Sequence, residues 1–230
     1  MGLTLSIDLW SSYASLMFQG GLKIWECSED LVRHLHDSDY QFSDKRVLEL
    51  GCGAGLPGLL ALSLGAEVMF SDYNEDVLTE LTVPNALLNL PSRTQGVFKV
   101  PAKPDSTSDA AEPVEEKKCR FLSGDWSDLE KNFLAKENKK FDLILTSETI
   151  YNVDNQSKLV SIFQKFLKDD GHVLVAGKTL YFGVGGGMRQ FETLVRQSGL
   201  ECETVKTCDT GVKREILKIS KRSNNKEESD

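Results

Sequence analysis

Short apolar runs and longer mixed segments alternate along this chain. The runs Arg46–Leu50, Glu67–Ser71, Cys119–Leu122, Phe141–Thr146 and His172–Ala176 have the length and continuous apolar character of buried strands. Helical spacing fills the gaps. A helix is predicted from about Ser28, as N-cap, to Asp37, with Leu31, Val32 and Leu35 as its apolar face. Others are expected over 56–64, 75–88, 128–134, 157–167 and 188–198, with Pro84 kinking or interrupting the second of these. Leu200–Thr207 and Arg214–Ser220 close the chain as a hairpin-like pair of strands. The predicted fold class is therefore α/β. It is a Rossmann-like, seven-stranded, mostly parallel sheet with one late antiparallel strand and helices on both faces.

The same pattern sets the domain limits. Residues 1–20 read as an N-terminal lead-in, 21–220 as one domain and 221–230 as a disordered tail. Segment 91–118 holds four of the six prolines and few large apolar residues, so it is expected to be a flexible insertion. At 230 residues, 40% of them hydrophobic, the domain is large enough for a real core. No apolar run reaches the ~18 residues of a membrane span, and the first 20 residues lack the cationic start of a secretory signal. Five cysteines without a CxxC pair point to a reducing compartment, and no metal site is expected. His34 and His36, two apart, project from different sides of a helix. The net charge of −8 argues against general nucleic-acid binding and suits a basic protein partner.

Chemistry enters at Val47-Leu48-Glu49-Leu50-Gly51-Cys52-Gly53-Ala54-Gly55, where the first strand meets a G-x-G-x-G turn. Seventeen residues past Gly55 the second strand ends at Asp72, placed to accept from a ribose diol. A dinucleotide fingerprint would need glycine at position 56, which is Leu56. Glu49 is expected to favour a cationic ligand over a pyrophosphate. S-adenosylmethionine, with a sulfonium and an ammonium, fits this pattern better than NAD. In an open α/β sheet the ligand lies beyond the carboxyl ends of the strands. That rule gathers Tyr73 and Asn74, Asp125 and Trp126, and Ser147, Glu148 and Tyr151. Asp125 is read either as an acceptor for an adenine amino group or as a helix N-cap, and Trp126 as a ring that stacks on the base or packs in the core. The Trp25-Glu26 pair before the first helix could lie over the ligand's methionine end, and Gly183–Gly187 could be a substrate-facing loop.

The blocks GGLKIWECSEDL, VLELGCGAGLPGL, SDYNEDVLTELTVPNALLN, CRFLSGDWSDL, FDLILTSETIYN and GKTLYFGVGGG, over about residues 20–219, resemble the eukaryotic histidine protein methyltransferase family. These are seven-β-strand enzymes dependent on S-adenosylmethionine. The resemblance implies methylation of a histidine in a large-subunit ribosomal protein, the third in that series. It implies cofactor contacts at Ile24, Trp25, Glu26, Cys27, Ser28, Gly51, Ser71, Asp72, Tyr73, Gly124, Asp125, Trp126 and Ser147. It further implies action in the cytoplasm, the nucleus or both. Members often carry a longer N-terminal extension, so a targeting signal held there is expected to be missing.

A neutral histidine already presents a free lone pair near pH 7, so the enzyme's task is to position it and fix its tautomer. Glu148 is the first candidate for that carboxylate, Asp154 the second, and Tyr151 a pocket wall or ring partner. Protein-lysine methylation is the rival, since Glu148-Thr149-Ile150-Tyr151 also fits an E-x-x-Y pattern. A non-catalytic chaperone for a nascent ribosomal protein is the third reading. The expected state is a monomer, meeting its basic partner with an affinity that falls as salt is added.

Overall fold

The computed structural model of the protein describes residues 23–89, 119–136 and 139–222. The lead-in, the insertion at 91–118 and residues 223–230 of the tail lie outside the described residues. Seven strands form one sheet: β1 (Arg46–Leu50), β2 (Glu67–Asp72), β3 (Cys119–Ser123), β4 (Phe141–Ser147), β5 (Leu167–Lys178), β6 (Leu200–Cys208) and β7 (Arg214–Lys221). Their order is β3-β2-β1-β4-β5-β7-β6, and β7 alone runs antiparallel, pairing with β5 and β6. The expected topology is the observed one. Lys221, expected in the tail, ends β7, where it is paired with Leu200.

Two apolar layers hold the sheet between helices. Val47, Leu143 and Leu145 point to one face, Leu48 and Ile144 to the other, as the two-residue period of a strand demands. The first face is covered by α1 (Glu26–Asp37), α2 (Leu56–Ser63) and the helical segment from α3 (Glu75–Val77) through a π-helical turn (Leu78–Thr82) to α4 (Val83–Asn89). The second is covered by α5 (Trp126–Asn132), α6 (Val153–Phe166) and α7 (Met188–Gln197), whose Leu129, Phe163 and Phe191 are almost fully buried. Phe163 and Phe191 meet edge to face at 6.4 Å. Truncating either to alanine would cost about 3–5 kcal/mol. Among the described residues no helix is long and apolar enough to cross a membrane.

Three helices and one strand depart from the sequence reading by two residues or more, the helices for local reasons. Helix α1 starts at Glu26, capped by the extended Trp25, because the Ser28 hydroxyl donates to the Trp25 carbonyl (2.7 Å) instead of accepting a backbone N–H. Helix α5 begins at Trp126 because Asp125 accepts from Ser127 N at 2.8 Å. Helix α6 begins at Val153 because Asn152 accepts from Asp154 N at 3.0 Å. Both are side-chain caps of the usual kind. Strand β5 is longer at both ends than its apolar core, running from Leu167 to Lys178. Pro84 is accommodated by the widened turn before it, where Val83 N reaches back to Leu78 O. A proline ring clashes with the carbonyl four residues earlier in a regular helix, and a π turn relieves that crowding.

Candidate active site

Strand order reverses between β1 and β4, and a crevice opens at their carboxyl ends. The two strand ends are tied together there. Thr146 donates to the Leu50 carbonyl (2.8 Å), and its hydroxyl lies 2.7 Å from that of Thr149. Beyond them lies a cavity of about 630 Å³.

Most of the expected residues line it. Gly51 and Gly53 form its floor, and Asp72, Tyr73 and Asn74 one wall. Gly124, Asp125 and Trp126 form a second wall. Ser147, Glu148 and Tyr151 come from β4 and the loop after it, and Ile24, Trp25 and Ser28 from the approach to α1. Gly51 must be glycine, because its φ is +64° and a Cβ would stand 2.5 Å from Thr149 Cγ2.

Six expected residues stand elsewhere. Glu49 lies beneath α2 with its Oε2 accepting from Gly58 N at 2.9 Å, so it does not face the cavity. Burial pushes its carboxyl up to about 8, against the Gly58 N–H that lowers it. The expectation that Glu49 offers a carboxylate to a cationic ligand is therefore corrected: it is a buried group that ties helix to strand. Gly55 is the left-handed cap of α2. Ser71 is buried in β2, its carbonyl accepting from Cys52 N at 2.9 Å. Cys27 is buried in the core behind Glu148, and Glu26 is exposed. Asp154 is exposed in the first turn of α6, where its charge suits the helix N-terminus rather than a ligand.

Asp72 uses both carboxylate oxygens on the backbone, accepting from Gly53 N (3.0 Å) and Asn74 N (3.1 Å). Burial raises its pKa, and these N–H groups lower it. The arrangement locks the acid at the edge of the cavity while leaving lone pairs for a diol. Asp125 serves as N-cap and is paired with Lys158 at 2.7 Å, which holds its carboxyl below the usual range. Trp126 packs against the core and also lines the cavity.

Glu148 has a left-handed backbone (φ 55°), unusual for a residue with a side chain. Its N–H donates to Ala176 O at 3.0 Å, and its side chain is 8% exposed. Among the described residues no donor hydrogen-bonds its Oε1, although Lys178 Nζ stands 3.5 Å away. Tyr181 and Cys27 flank it. Burial, then the Glu148 charge, pushes the Tyr181 hydroxyl and the Cys27 thiol up. Strain and an unsatisfied buried oxygen meet at one residue, the pattern of a functional group.

The sequence reading missed Lys23, Cys52, Ala54, Leu56, Thr149, Asn155, Lys178 and Tyr181, all of which line the cavity, and Val184 of the expected substrate-facing loop lines it too. Lys178 was within reach of the strand-end rule once β5 is extended past Ala176. The loop Gly183–Gly187 is closed by Tyr181 N donating to Gly186 O at 3.0 Å, and Gly186 packs on the Glu148 loop, where a Cβ on it would stand 2.3 Å from the Ile150 and Tyr151 carbonyl oxygens. Tyr151, Phe182 and Val184 are exposed there.

The comparisons with known proteins agree with this geometry. The chain is 42% identical over 221 residues to a Histidine protein methyltransferase 1 homolog of Bos taurus, covering 94% of this chain and 59% of that protein. It is 37% identical over 211 residues to the homolog of Dictyostelium discoideum, covering 90% and 60%. The chain thus spans about 60% of the length of these relatives. The crystal structure of magnesium protoporphyrin IX methyltransferase from Synechocystis PCC 6803 with bound SAH shares the fold, with a TM-score of 0.59 at 12% identity over 94% of this chain and 97% of that one. A methyltransferase-domain family model matches residues 26–180. That span carries β1 to β5 and most of the cavity wall, and by it the chain belongs to the methyltransferase domain family.

Proposed function

We propose that the chain binds S-adenosylmethionine in the strand-end cavity and directs methyl transfer to a ring nitrogen of a protein histidine. The observation that carries the acceptor half of this reading is the Glu148 carboxylate, buried on the cavity wall with Oε1 lacking a hydrogen-bond donor among the described residues. A buried acceptor needs a donor. Neutral imidazole brings an N–H for it and keeps a lone pair on the other nitrogen.

The residues present fit the cofactor. Asp72 is fixed to accept from a ribose diol, Trp126 offers a ring to a base, and Gly51 lets the backbone approach closely. When bound, S-adenosylmethionine supplies an already activated, electrophilic methyl group. What remains for the protein is to orient and desolvate the acceptor. Glu148 accepts from the imidazole N–H, which fixes the tautomer and then balances the positive charge that develops on the ring. Tyr151 walls the mouth of the site.

The substrate we assign is a large-subunit ribosomal protein, the third in its series. The sequence resemblance supports this, and the names of the relatives support only the histidine acceptor. The net charge of −8 suits a basic partner. Lysine methylation stays as the second reading because Glu148-Thr149-Ile150-Tyr151 keeps the E-x-x-Y pattern.

The test has two steps. Isothermal titration compares S-adenosylmethionine with NAD for the native chain and for Asp72→Ala. Binding of the first alone, lost in the variant, is expected, and binding of NAD would overturn the cofactor assignment. The ribosomal protein is then treated with enzyme and labelled methyl donor, hydrolysed and resolved. Methyl-histidine supports the proposal, and methyl-lysine alone would replace it with the second reading.

A further inference from the structure

Lys178 ends β5 inside the cavity wall, and the reaction as described gives it no task. Its ammonium stands 3.5 Å from Glu148 Oε1 and 3.7 Å from Glu26 Oε2. It also lies 5.1 Å from the centroid of the Trp25 ring and 5.9 Å from that of Tyr181. The side chain is 17% exposed, so two carboxylates and two aromatic faces hold it in a partly dry place. The groups packed around Glu148 are Cys27 from α1, Lys178 from β5 and Tyr181 from the loop that follows, and Lys178 in turn reaches Glu26 of α1. Lys178 is the cation of that set.

We infer that Lys178 determines acceptor specificity: its ammonium takes the cation's place beside Glu148, so the site admits a neutral imidazole and turns away the ammonium of a lysine side chain. The inference rests on the histidine reading above and deepens it. A lysine acceptor would bring a second positive charge next to the first, in a cavity that screens poorly. It would also have to displace Lys178 from the carboxylate. Imidazole meets neither obstacle on binding, before charge develops on its ring. It enters uncharged and needs one lone-pair direction of Glu148, and a carboxylate has about four.

The test uses two variants. Lys178→Met keeps the length and apolar stem and removes the charge, and Lys178→Arg keeps the charge. Acceptors are the ribosomal protein bearing the histidine that the native enzyme modifies, located by mass spectrometry, and the same protein with lysine at that position. The readout is the affinity ratio, the association constant of the lysine acceptor over that of the histidine acceptor, titrated with S-adenosylhomocysteine in the cofactor site. It should rise about tenfold or more in Lys178→Met and stay near native in Lys178→Arg, since only the former removes the like-charge penalty. An unchanged ratio in a Lys178→Met enzyme that still binds S-adenosylmethionine overturns the inference alone. So does an equal rise in Lys178→Arg. If the methionine variant does not fold, Lys178→Gln gives the same neutral test. A native enzyme that methylates lysine and not histidine overturns the histidine reading and the inference with it.

Discussion

Gly51 and Thr149 stand at the ends of adjacent strands so close together that a methyl group on Gly51 would lie 2.5 Å from Thr149 Cγ2. Thr149 has little room to withdraw, because its hydroxyl is held 2.7 Å from that of Thr146. Gly51→Ala should therefore push the cavity floor out of place and also strain a backbone at φ +64°. The expected loss is about 1–3 kcal/mol of stability from the backbone alone, with cofactor affinity down about tenfold or more. Adding Thr149→Ser removes the offending methyl and keeps the hydroxyl. Calorimetry should then show the steric share of the affinity restored and the backbone share of the stability still missing. Full restoration of both would mean that φ at this position is not strained.

The Gly183–Gly187 loop makes a separate prediction. A Cβ on Gly186 would collide with the carbonyl oxygens of Ile150 and Tyr151, so Gly186→Ala must lift the loop from the segment that carries Glu148. Cofactor affinity should stay within about twofold while KM for the protein acceptor rises about tenfold, because uniform acceptor binding is what the loop supplies. Paired titration and steady-state kinetics measure both. An unchanged KM would show that the loop does not face the acceptor.

Glu49 gives the stability a defined pH dependence. Its folded pKa of about 8 lies above the ordinary 4.5, so the folded chain keeps a proton that the unfolded chain releases. The contribution is whole below about pH 4.5 and is lost as pH rises through about 8. Denaturant unfolding at pH 5 and pH 8 should show Glu49→Gln flattening this decline, since the amide oxygen still accepts from Gly58 N. Asp72, raised in the same direction, keeps its own slope in the variant. An identical pH slope in both proteins would mean that Glu49 is ionised in the fold.

Much of this was legible in the chain because it is local. The five apolar runs, the glycine turn and Asp72 each sit within a few residues of the features that define them, and the strand-end rule then collected Trp126 and Glu148 without knowledge of distant contacts. Where the reading went astray, a tertiary or orientational fact decided. Glu49 was read as ligand-facing from the motif, but its side chain falls on the α2 side of β1, where Gly58 N waits. Asp154 is close to Glu148 in sequence yet lies on the exposed side of a helix whose cap, Asn152, sets its start. Ser28 looked like a cap because the true cap, Trp25, has no side-chain acceptor to betray it. Lys178 and Tyr181 were hidden because β5 outruns its apolar core by two residues, which no periodicity marks.

The most direct measurement is on Glu148→Gln, assayed in one preparation for S-adenosylmethionine affinity and for methyl-histidine formation. The amide keeps the shape and loses the charge that fixes and then balances the ring. Affinity within about twofold of native, with kcat down about 100-fold or more, is the predicted result. A variant that forms methyl-histidine at the native rate would contradict the account, because the transfer would then owe nothing to the one buried carboxylate oxygen that, among the described residues, lacks a hydrogen-bond donor.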